Sequence, residues 1–469
     1  MEFRFLRKMQ DIHAYDLTET TIAAVSSGLT PSGIAVIRIS GPDAVAAADR
    51  VFSGRIRLSD AKTHTVHYGR ITDPDGQMLD EVLATVMRGP GSYTGEDVVE
   101  LSCHGGPFAA RKILALLFSS GAVPAEPGEF TKRAFLNGRM DLSQAEAVMD
   151  IIGAENEFAL KAGVSGLRGD VSQRIREIRE GLLDEIAFIE AALDDPEHYD
   201  LSGYPERLRE ALRPVREALS ELLRVADYGS ILAEGIRTVI AGRPNAGKSS
   251  LFNLLSGHDK AIVTEIPGTT RDILETHVSL GPLSLILMDT AGLRETGDLV
   301  ERIGVERAKE ALQAADLVLY VLDGTEGETE EDREALSELS GKPVIVLRNK
   351  TDLLVTGAEK APVSDGEILF SCLTGEGLRE LEDRVISLFD AKKLSFNDEV
   401  VITNERQKAL LRDALRSLEL VEEGIRAQMS EEFLASDLTD AYAALSEILG
   451  EAVSDDVIDR VFSKFCLGK

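Results

Sequence analysis

The stretch Gly242-Arg243-Pro244-Asn245-Ala246-Gly247-Lys248-Ser249 narrows the possible folds more than any other part of this chain. It follows the apolar run Val239-Ile240-Ala241 and precedes Leu251-Phe252-Asn253-Leu254-Leu255. A buried strand, a glycine-framed loop and a helix therefore come in succession, which is the context this motif needs. The physics is phosphate capture. Small residues let backbone N–H groups turn inward, the helix N-terminus adds partial positive charge, and Lys248 reaches the β and γ oxygens. Ser249, followed by Ser250, offers a hydroxyl to Mg²⁺.

Four further elements follow in the order a GTPase requires. Pro267-Gly268-Thr269-Thr270-Arg271-Asp272 supplies a threonine for the Mg²⁺ ion and the γ-phosphate. Leu283–Met288 reads as a buried strand ending in Asp289-Thr290-Ala291-Gly292. There Asp289 orients the Mg²⁺ shell and the Gly292 amide senses the γ-phosphate. Asp316–Leu322 is a third strand, and Pro343–Leu347 a fourth that delivers Asn349-Lys350-Thr351-Asp352. The Asp352 carboxylate accepts from guanine N1–H and its 2-amino group, donors that adenine lacks, so the base selected is guanine. Ser371-Cys372-Leu373, after the strand Ile368–Phe370, fits a loop closing on that base, with Cys372 as a small packing residue. Where Ras-like enzymes carry a water-orienting glutamine after D-x-x-G, this chain has Leu293, which has no polar group for the task. Two residues answer the gap: Asn245 could hold a monovalent cation beside the phosphates, and Glu301 could position the attacking water through a second water. As plain structure, Asn245 shapes the loop and Glu301 begins a solvated helix.

The chain as a whole is too long to be one core. Its 469 residues predict about three domains. A formal net charge of −30, from 51 basic and 81 acidic residues, repels nucleic acid globally. Any RNA contact then needs a local basic patch or a partner protein. The start, Met1 to Asp16, has charges spread through it and lacks an apolar core of signal-peptide length, and no run of about 18 apolar residues predicts a membrane span. The cysteines Cys103, Cys372 and Cys466 show no paired or metal-binding spacing, which fits a reducing cytoplasm.

Residues 1–137 read as a small α+β domain, with strands at Ile22–Val25, Gly33–Gly41, Thr65–Ile71, Glu81–Met87 and Asp97–Leu101. Arg38 lies in an otherwise apolar strand and Glu100 at a strand end; by composition the two make a structural ion pair. His104 reads as a turn histidine, and Lys132, Arg133 and Arg139 as a local basic island. Amphipathic helices follow over 138–234 and again over 395–469, with caps expected at Thr403, Ser430 and Ser454. The fold class is therefore multidomain: an α+β N-terminal domain, an all-α helical domain built from both segments, and a Ras-like α/β P-loop GTPase domain at 235–394 inserted between them. Cys466, in Phe465-Cys466-Leu467-Gly468-Lys469, is left open as a catalytic residue.

Together, Ile37-Arg38-Ile39-Ser40-Gly41-Pro42, the cluster Gly95–Pro107, Pro127–Leu142, the GTPase motifs and Phe465–Lys469 resemble the MnmE (TrmE) family of tRNA-modification GTPases over nearly the whole chain. The resemblance implies an enzyme that works in the cytoplasm with the FAD-dependent MnmG, the flavin residing on that partner alone. The pair would install aminomethyl or carboxymethylaminomethyl groups at C5 of the wobble uridine of certain tRNAs. It also implies a homodimer through the N-terminal domain and a tetrahydrofolate one-carbon carrier, 5-formyl or methylene, at Arg38, Glu100, Arg139 and Lys469. The GTP site would be lined by Asn245–Ser250, Thr264, Glu265, Ile266, Pro267, Gly268, Thr269, Thr270, Asp289, Thr290, Ala291, Gly292, Asn349, Lys350, Asp352, Ser371, Cys372 and Leu373. Mg²⁺ falls to Ser249 and Thr270; K⁺ falls to Asn245, Thr264, Ile266 and Thr269. Glu301 matches the water-orienting glutamate, Arg271, Asp272 and Arg294 match switch positions, and Cys466 matches a cysteine needed for modification. Departures are Arg139 in place of lysine, a shorter Thr30-Pro31-Ser32-Gly33 turn, and Ser371-Cys372-Leu373 in place of S-A-K. A regulatory GTPase of the Era type shares the nucleotide motifs but leaves the N-terminal domain and the cysteine-bearing segment unexplained. A scaffold in which GTP only locks a dimer leaves out the folate positions.

Overall fold

The computed structural model describes residues 19–28, 30–195, 197–199, 201–257, 275–288, 311–354, 366–389, 400–451, 453–466 and 468–469. They form two compact units, Met1–Met149 with Ser446–Lys469, and Asp150–Leu445.

The first unit is built on a seven-stranded sheet. Its strands are β1 (Ile22–Val25), β2 (Ile34–Ser40), β3 (Phe52–Gly54), β4 (Thr65–Thr72), β5 (Met78–Met87), β6 (Val98–His104) and β7 (Val123–Pro124), in the order β3-β4-β5-β6-β2-β1-β7. Period-two alternation decides which face is covered. Asp80, Val82, Ala84 and Val86 of β5 are buried while Glu81 and Leu83 are exposed; Ala35, Ile37 and Ile39 of β2 likewise turn inward. Helices α1 (Ala44–Asp49) and α2 (Pro107–Ser119) close this core with Ala44, Ala48, Ile113 and Leu117. Strand β6 runs on through Cys103 to His104, beyond the predicted end, so His104 sits in the sheet and not in the turn. Two more helices follow, α3 (Glu129–Leu136) and α4 (Leu142–Ile152). Helix Asp455–Phe462 packs Ile458 and Phe462 with Leu142 and Ala145 of α4.

In the second unit, α5 (Glu157–Arg168), α6 (Asp170–Asp194) and α7 (Tyr204–Glu234) lead into β8 (Ile236–Ala241). Helix α7 runs on to Glu234, because Val225, Ala226 and Leu232 extend its buried stripe. After α8 (Lys248–Gly257) come β9 (Glu275–Leu280), β10 (Leu283–Met288), β11 (Leu317–Asp323), α9 (Glu330–Glu338), β12 (Val344–Asn349), β13 (Ile368–Leu369) and α10 (Leu378–Leu388). The sheet order is β13-β12-β11-β8-β10-β9, parallel except for β9. Strands β10 and β11 are buried throughout, as expected for a parallel sheet covered on both faces. Helices α11 (Glu405–Arg426) and α12 (Glu431–Leu449) complete the unit's helical part. The cap of α11 is Asn404, one residue after the expected Thr403; its side chain accepts from the amides of Arg406 and Gln407. One hydrophobic core joins the sheet to the helices: Phe158, Val225, Leu232 and Val401 pack in the same cluster as Ile236, Leu285 and Leu319.

Candidate functional site

Strand β8 ends at the phosphate loop. Gly242 (φ 134) and Gly247 (φ 110) lie in the backbone region that L side chains rarely adopt. A Cβ on Gly242 would run into the Val321 carbonyl oxygen, and one on Gly247 into the Asn349 amide. Lys248 Nζ donates to the carbonyls of Gly242 at 2.7 Å and Arg243 at 2.6 Å, so its ammonium folds back onto the loop and cross-links it. Asn245 takes a left-handed φ of 62 and is exposed, as are Ser249 and Ser250, while Ala246 is buried.

Strand β12 delivers Asn349, Lys350 and Asp352 to the same end of the sheet. Asn349 Nδ2 donates to the Ala246 carbonyl at 2.9 Å, and its Oδ1 accepts from the Cys372 amide at 3.1 Å. One side chain thereby ties the phosphate loop to the loop after β13. Lys350 (φ 65) is ion-paired with Asp323 at 2.5 Å. Burial opposes the Asp323 charge, but Lys350 and Thr325 outweigh it and hold the carboxyl below the usual carboxylate range. Ser371 Oγ donates to Asp352 Oδ1 at 2.6 Å, which orients that carboxylate. Burial and the Asp352 charge push the Cys372 thiol up to about 11, so it stays protonated, in line with a packing role. Leu373 is 83% exposed, leaving its apolar side chain open beside the base loop. Thr264, Glu265, Ile266, Pro267, Gly268, Thr269, Thr270, Arg271, Asp272, Asp289, Thr290, Ala291, Gly292, Leu293, Arg294 and Glu301 lie outside the described residues.

The first unit brings a second cluster together. The antiparallel register of β2 and β6 sets Arg38 opposite Glu100, and Arg38 Nε donates to Glu100 Oε1 at 2.8 Å. The guanidinium is flanked by the rings of Tyr93 at 5.0 Å and Phe130 at 5.6 Å. Its NH1 atom is buried with no hydrogen-bond partner. Lys469 is half-buried beside it: burial and the Arg38 charge hold its amine below the usual value, against the opposing pull of Glu100 and Cys466. The segment carrying Lys469 is fixed at the start of α3, where the Gly128 amide donates to the Cys466 carbonyl and the Phe130 amide to that of Lys469. Gly468 (φ 91) leaves no room for a Cβ against Val25 of β1. Cys466 is exposed. Arg139 Nε donates to the Ser92 carbonyl at 3.2 Å, one residue from Tyr93.

The basic island expected from the sequence does not form on the surface. Arg133 is fully buried, bonded to Glu129 at 2.8 Å and Glu96 at 3.1 Å, and Lys132 pairs with Asp459 at 2.5 Å. Their neutralising carboxylates are remote in sequence or one helical turn away. Tyr93, Phe130, Ser92 and Asp323 are likewise not legible as site residues, because no spacing pattern links them to their partners. Among the described residues, no group of three or more His, Cys, Asp or Glu side chains is placed to hold a metal ion.

A largely parallel sheet with the glycine-framed G-x-x-x-x-G-K-S loop at the end of β8 and Asn349-Lys350-Thr351-Asp352 at the end of β12 is that of a P-loop GTPase, a GTP hydrolase. Residues 142–466 match the family model described as the MnmE helical domain, and residues 21–139 match that described as GTP-binding protein TrmE N-terminus. A tRNA modification GTPase MnmE of Lachnoclostridium phytofermentans is 46% identical over 455 residues, 96% of this chain and 99% of the relative. One from Listeria welshimeri is 45% identical over 454 residues, again 96% and 99%. Among solved structures, a point variant of Aquifex aeolicus Era bound to GDP.AlF4- is 29% identical with a TM-score of 0.27, covering 39% of this chain and 66% of that one. So partial a likeness says nothing further of this chain. This chain belongs to the MnmE family of tRNA-modification GTPases.

Proposed function

We propose that this chain hydrolyses GTP to drive modification of the wobble uridine of tRNA, in the cytoplasm, using a tetrahydrofolate one-carbon unit and the FAD-dependent MnmG as partner. The observation that carries the one-carbon part is the unpartnered, buried NH1 of Arg38, beside Glu100 and Lys469. A buried donor without a partner costs about 1–3 kcal/mol, which a ligand acceptor would recover. The Glu100 carboxylate suits the amino and ring N–H donors of a pteridine, and Lys469 and Arg139 suit the carboxylates of the folate tail. When bound, the carrier supplies the carbon; these residues bind and orient it. Cys466 stands in the segment that brings Lys469 to the cluster, and its proposed role is in the modification step.

In the nucleotide site, Lys248 holds the phosphates, Asp352 selects guanine, and Ser249 with Thr270 would hold Mg²⁺. Leu293 has no polar group to orient water. Asn245, with Thr264, Ile266 and Thr269, would hold K⁺, and Glu301 would position the water. Arg271, Asp272 and Arg294 serve as switch residues. GTP binding then pairs two G domains of a homodimer that is held through its N-terminal domains, and hydrolysis separates them. No helix among the described residues is long and apolar enough to cross a membrane.

The test has two arms on the purified full chain. Calorimetric titration with 5-formyltetrahydrofolate should show binding that is lost in Arg38→Ala and in Lys469→Ala. GTP turnover should be faster in K⁺ than in Na⁺ and should rise with protein concentration. Absence of folate binding, together with equal turnover in the two salts, would reduce the protein to a regulatory GTPase of the Era kind.

A further inference from the structure

Arg243 is the second residue of the phosphate loop, and phosphate capture gives its side chain no task. Its carbonyl accepts from Lys248 Nζ at 2.6 Å and from the Ala246 amide at 3.4 Å. Its guanidinium points the other way. Nε donates to Asp332 Oδ1 at 3.2 Å and lies 3.1 Å from Oδ2, and NH2 donates to Glu326 at 3.0 Å. Asp332 is 1% exposed and densely bonded. It accepts from the Tyr320 hydroxyl at 3.0 Å and from the Thr329 amide at 3.0 Å and hydroxyl at 2.8 Å, closing a capping box on α9. Burial opposes its charge, yet the Thr329 and Tyr320 bonds and the Arg243 guanidinium hold the carboxyl below the usual range. Tyr320 lies on β11 directly opposite Ala241, the last residue of β8. The contacts therefore close a ring: β8, the start of the phosphate loop, the cap of α9, β11, and back to β8.

We propose that Arg243 is a positioning residue for GTP hydrolysis, anchoring the first half of the phosphate loop to the buried Asp332 so that the loop keeps its shape when Lys248 turns from the loop carbonyls to the nucleotide phosphates. The inference rests on the GTP hydrolase assignment and is independent of the K⁺ and folate readings. Nucleotide phosphates compete with the Gly242 and Arg243 carbonyls for Lys248. Once the ammonium leaves, the loop loses an internal cross-link, and Pro244 and the left-handed Asn245 depend on the remaining anchor. Without that anchor, ordering the loop is charged to nucleotide binding. One residue's backbone freedom is worth roughly 1–2 kcal/mol, or about tenfold in affinity.

The test measures Kd for a fluorescent GDP analogue, and KM and kcat for GTP, on the full chain. Arg243→Ala should raise Kd and KM about tenfold, with kcat changed much less. Asp332→Asn keeps one oxygen, enough for the Thr329 cap that falls on Oδ2 but not also for Tyr320 on Oδ1, and removes the charge that holds Arg243; it should reproduce part of the loss. The double variant should be no worse than Arg243→Ala alone, because both substitutions cut the same link. Unchanged Kd in Arg243→Ala, or losses that simply add in the double variant, would overturn the proposal. Should Arg243→Ala not fold, Arg243→Lys, which keeps the charge but loses the forked geometry, carries the same test. A several-fold rise in Kd supports the anchor and an unchanged Kd refutes it.

Discussion

Arg133 and His104 show how far a side chain's partners can depart from its neighbours in sequence. Arg133 stands between Lys132 and Ala134 in a run that reads as basic surface, yet it is fully buried against Glu129 and Glu96, with the Thr20 carbonyl accepting from it at 2.7 Å. Removing one member of such a group leaves the others charged in the interior. Arg133→Met is therefore expected to destabilise the first unit by about 3–5 kcal/mol, seen as a lower urea midpoint in the full chain. His104 behaves differently. Its Nδ1 meets Asp80 at 2.5 Å, and that bond and the Asp80 charge raise its pKa, although the imidazole is 74% exposed. A group whose folded pKa is raised stabilises fully below the unfolded value, near 6.5, and the contribution fades as pH rises through the folded pKa. NMR titration should find the His104 transition displaced upward and returned to the ordinary range in Asp80→Asn. An unmoved transition would mean that the pair does not persist in solution.

The elements around the phosphate loop and Asn349–Asp352 are those the sequence describes best, since both motifs are contiguous and lie at the ends of β8 and β12. What spacing does not reveal is the cross-linking between them. Asn349 joins the phosphate loop to the base loop across more than a hundred residues of chain, and Arg243 reaches α9 in the same way. Contacts of that range depend on which strands become neighbours, and β8 lies between β11 and β10, which both come later in the chain. Two expectations belong to this scale. Gly247→Ala should weaken GDP binding at least about tenfold, since a left-handed backbone alone costs roughly 1–2 kcal/mol and the new Cβ meets Asn349. Asp352→Asn should lose about 10- to 100-fold in GTP affinity, the worth of a charge-assisted bond, and gain xanthosine triphosphate, whose C2 carbonyl accepts from the new amide. A competition assay with the two nucleotides reads both changes, and unchanged preference would remove Asp352 from the base site.

On the scale of the whole molecule, the helical periodicities and the inserted GTPase fold are legible in sequence because they repeat locally. The shared core of the second unit is not, because Phe158, Val225, Leu232 and Val401 come from segments on both sides of the nucleotide domain. Severing that core has a cost. A fragment of residues 235–394 should melt well below the GTPase domain in the full chain, or aggregate, because Ile236 and Leu285 lose apolar cover. Equal melting temperatures would show the two parts to be thermally independent.

Helix α7 has 31 residues and passes through a single residue, Gly235, into the strand that carries the phosphate loop. A Cβ at that residue would lie 3.0 Å from Ile286, so a side chain there would crowd β10. At 1.5 Å per residue the helix is about 46 Å long, and a tilt of about 5° at β8 would swing its far end by about 4 Å. In mechanical terms, the phosphate loop sits at the short end of a lever, where a displacement too small to disturb the sheet is magnified into one as large as a side chain.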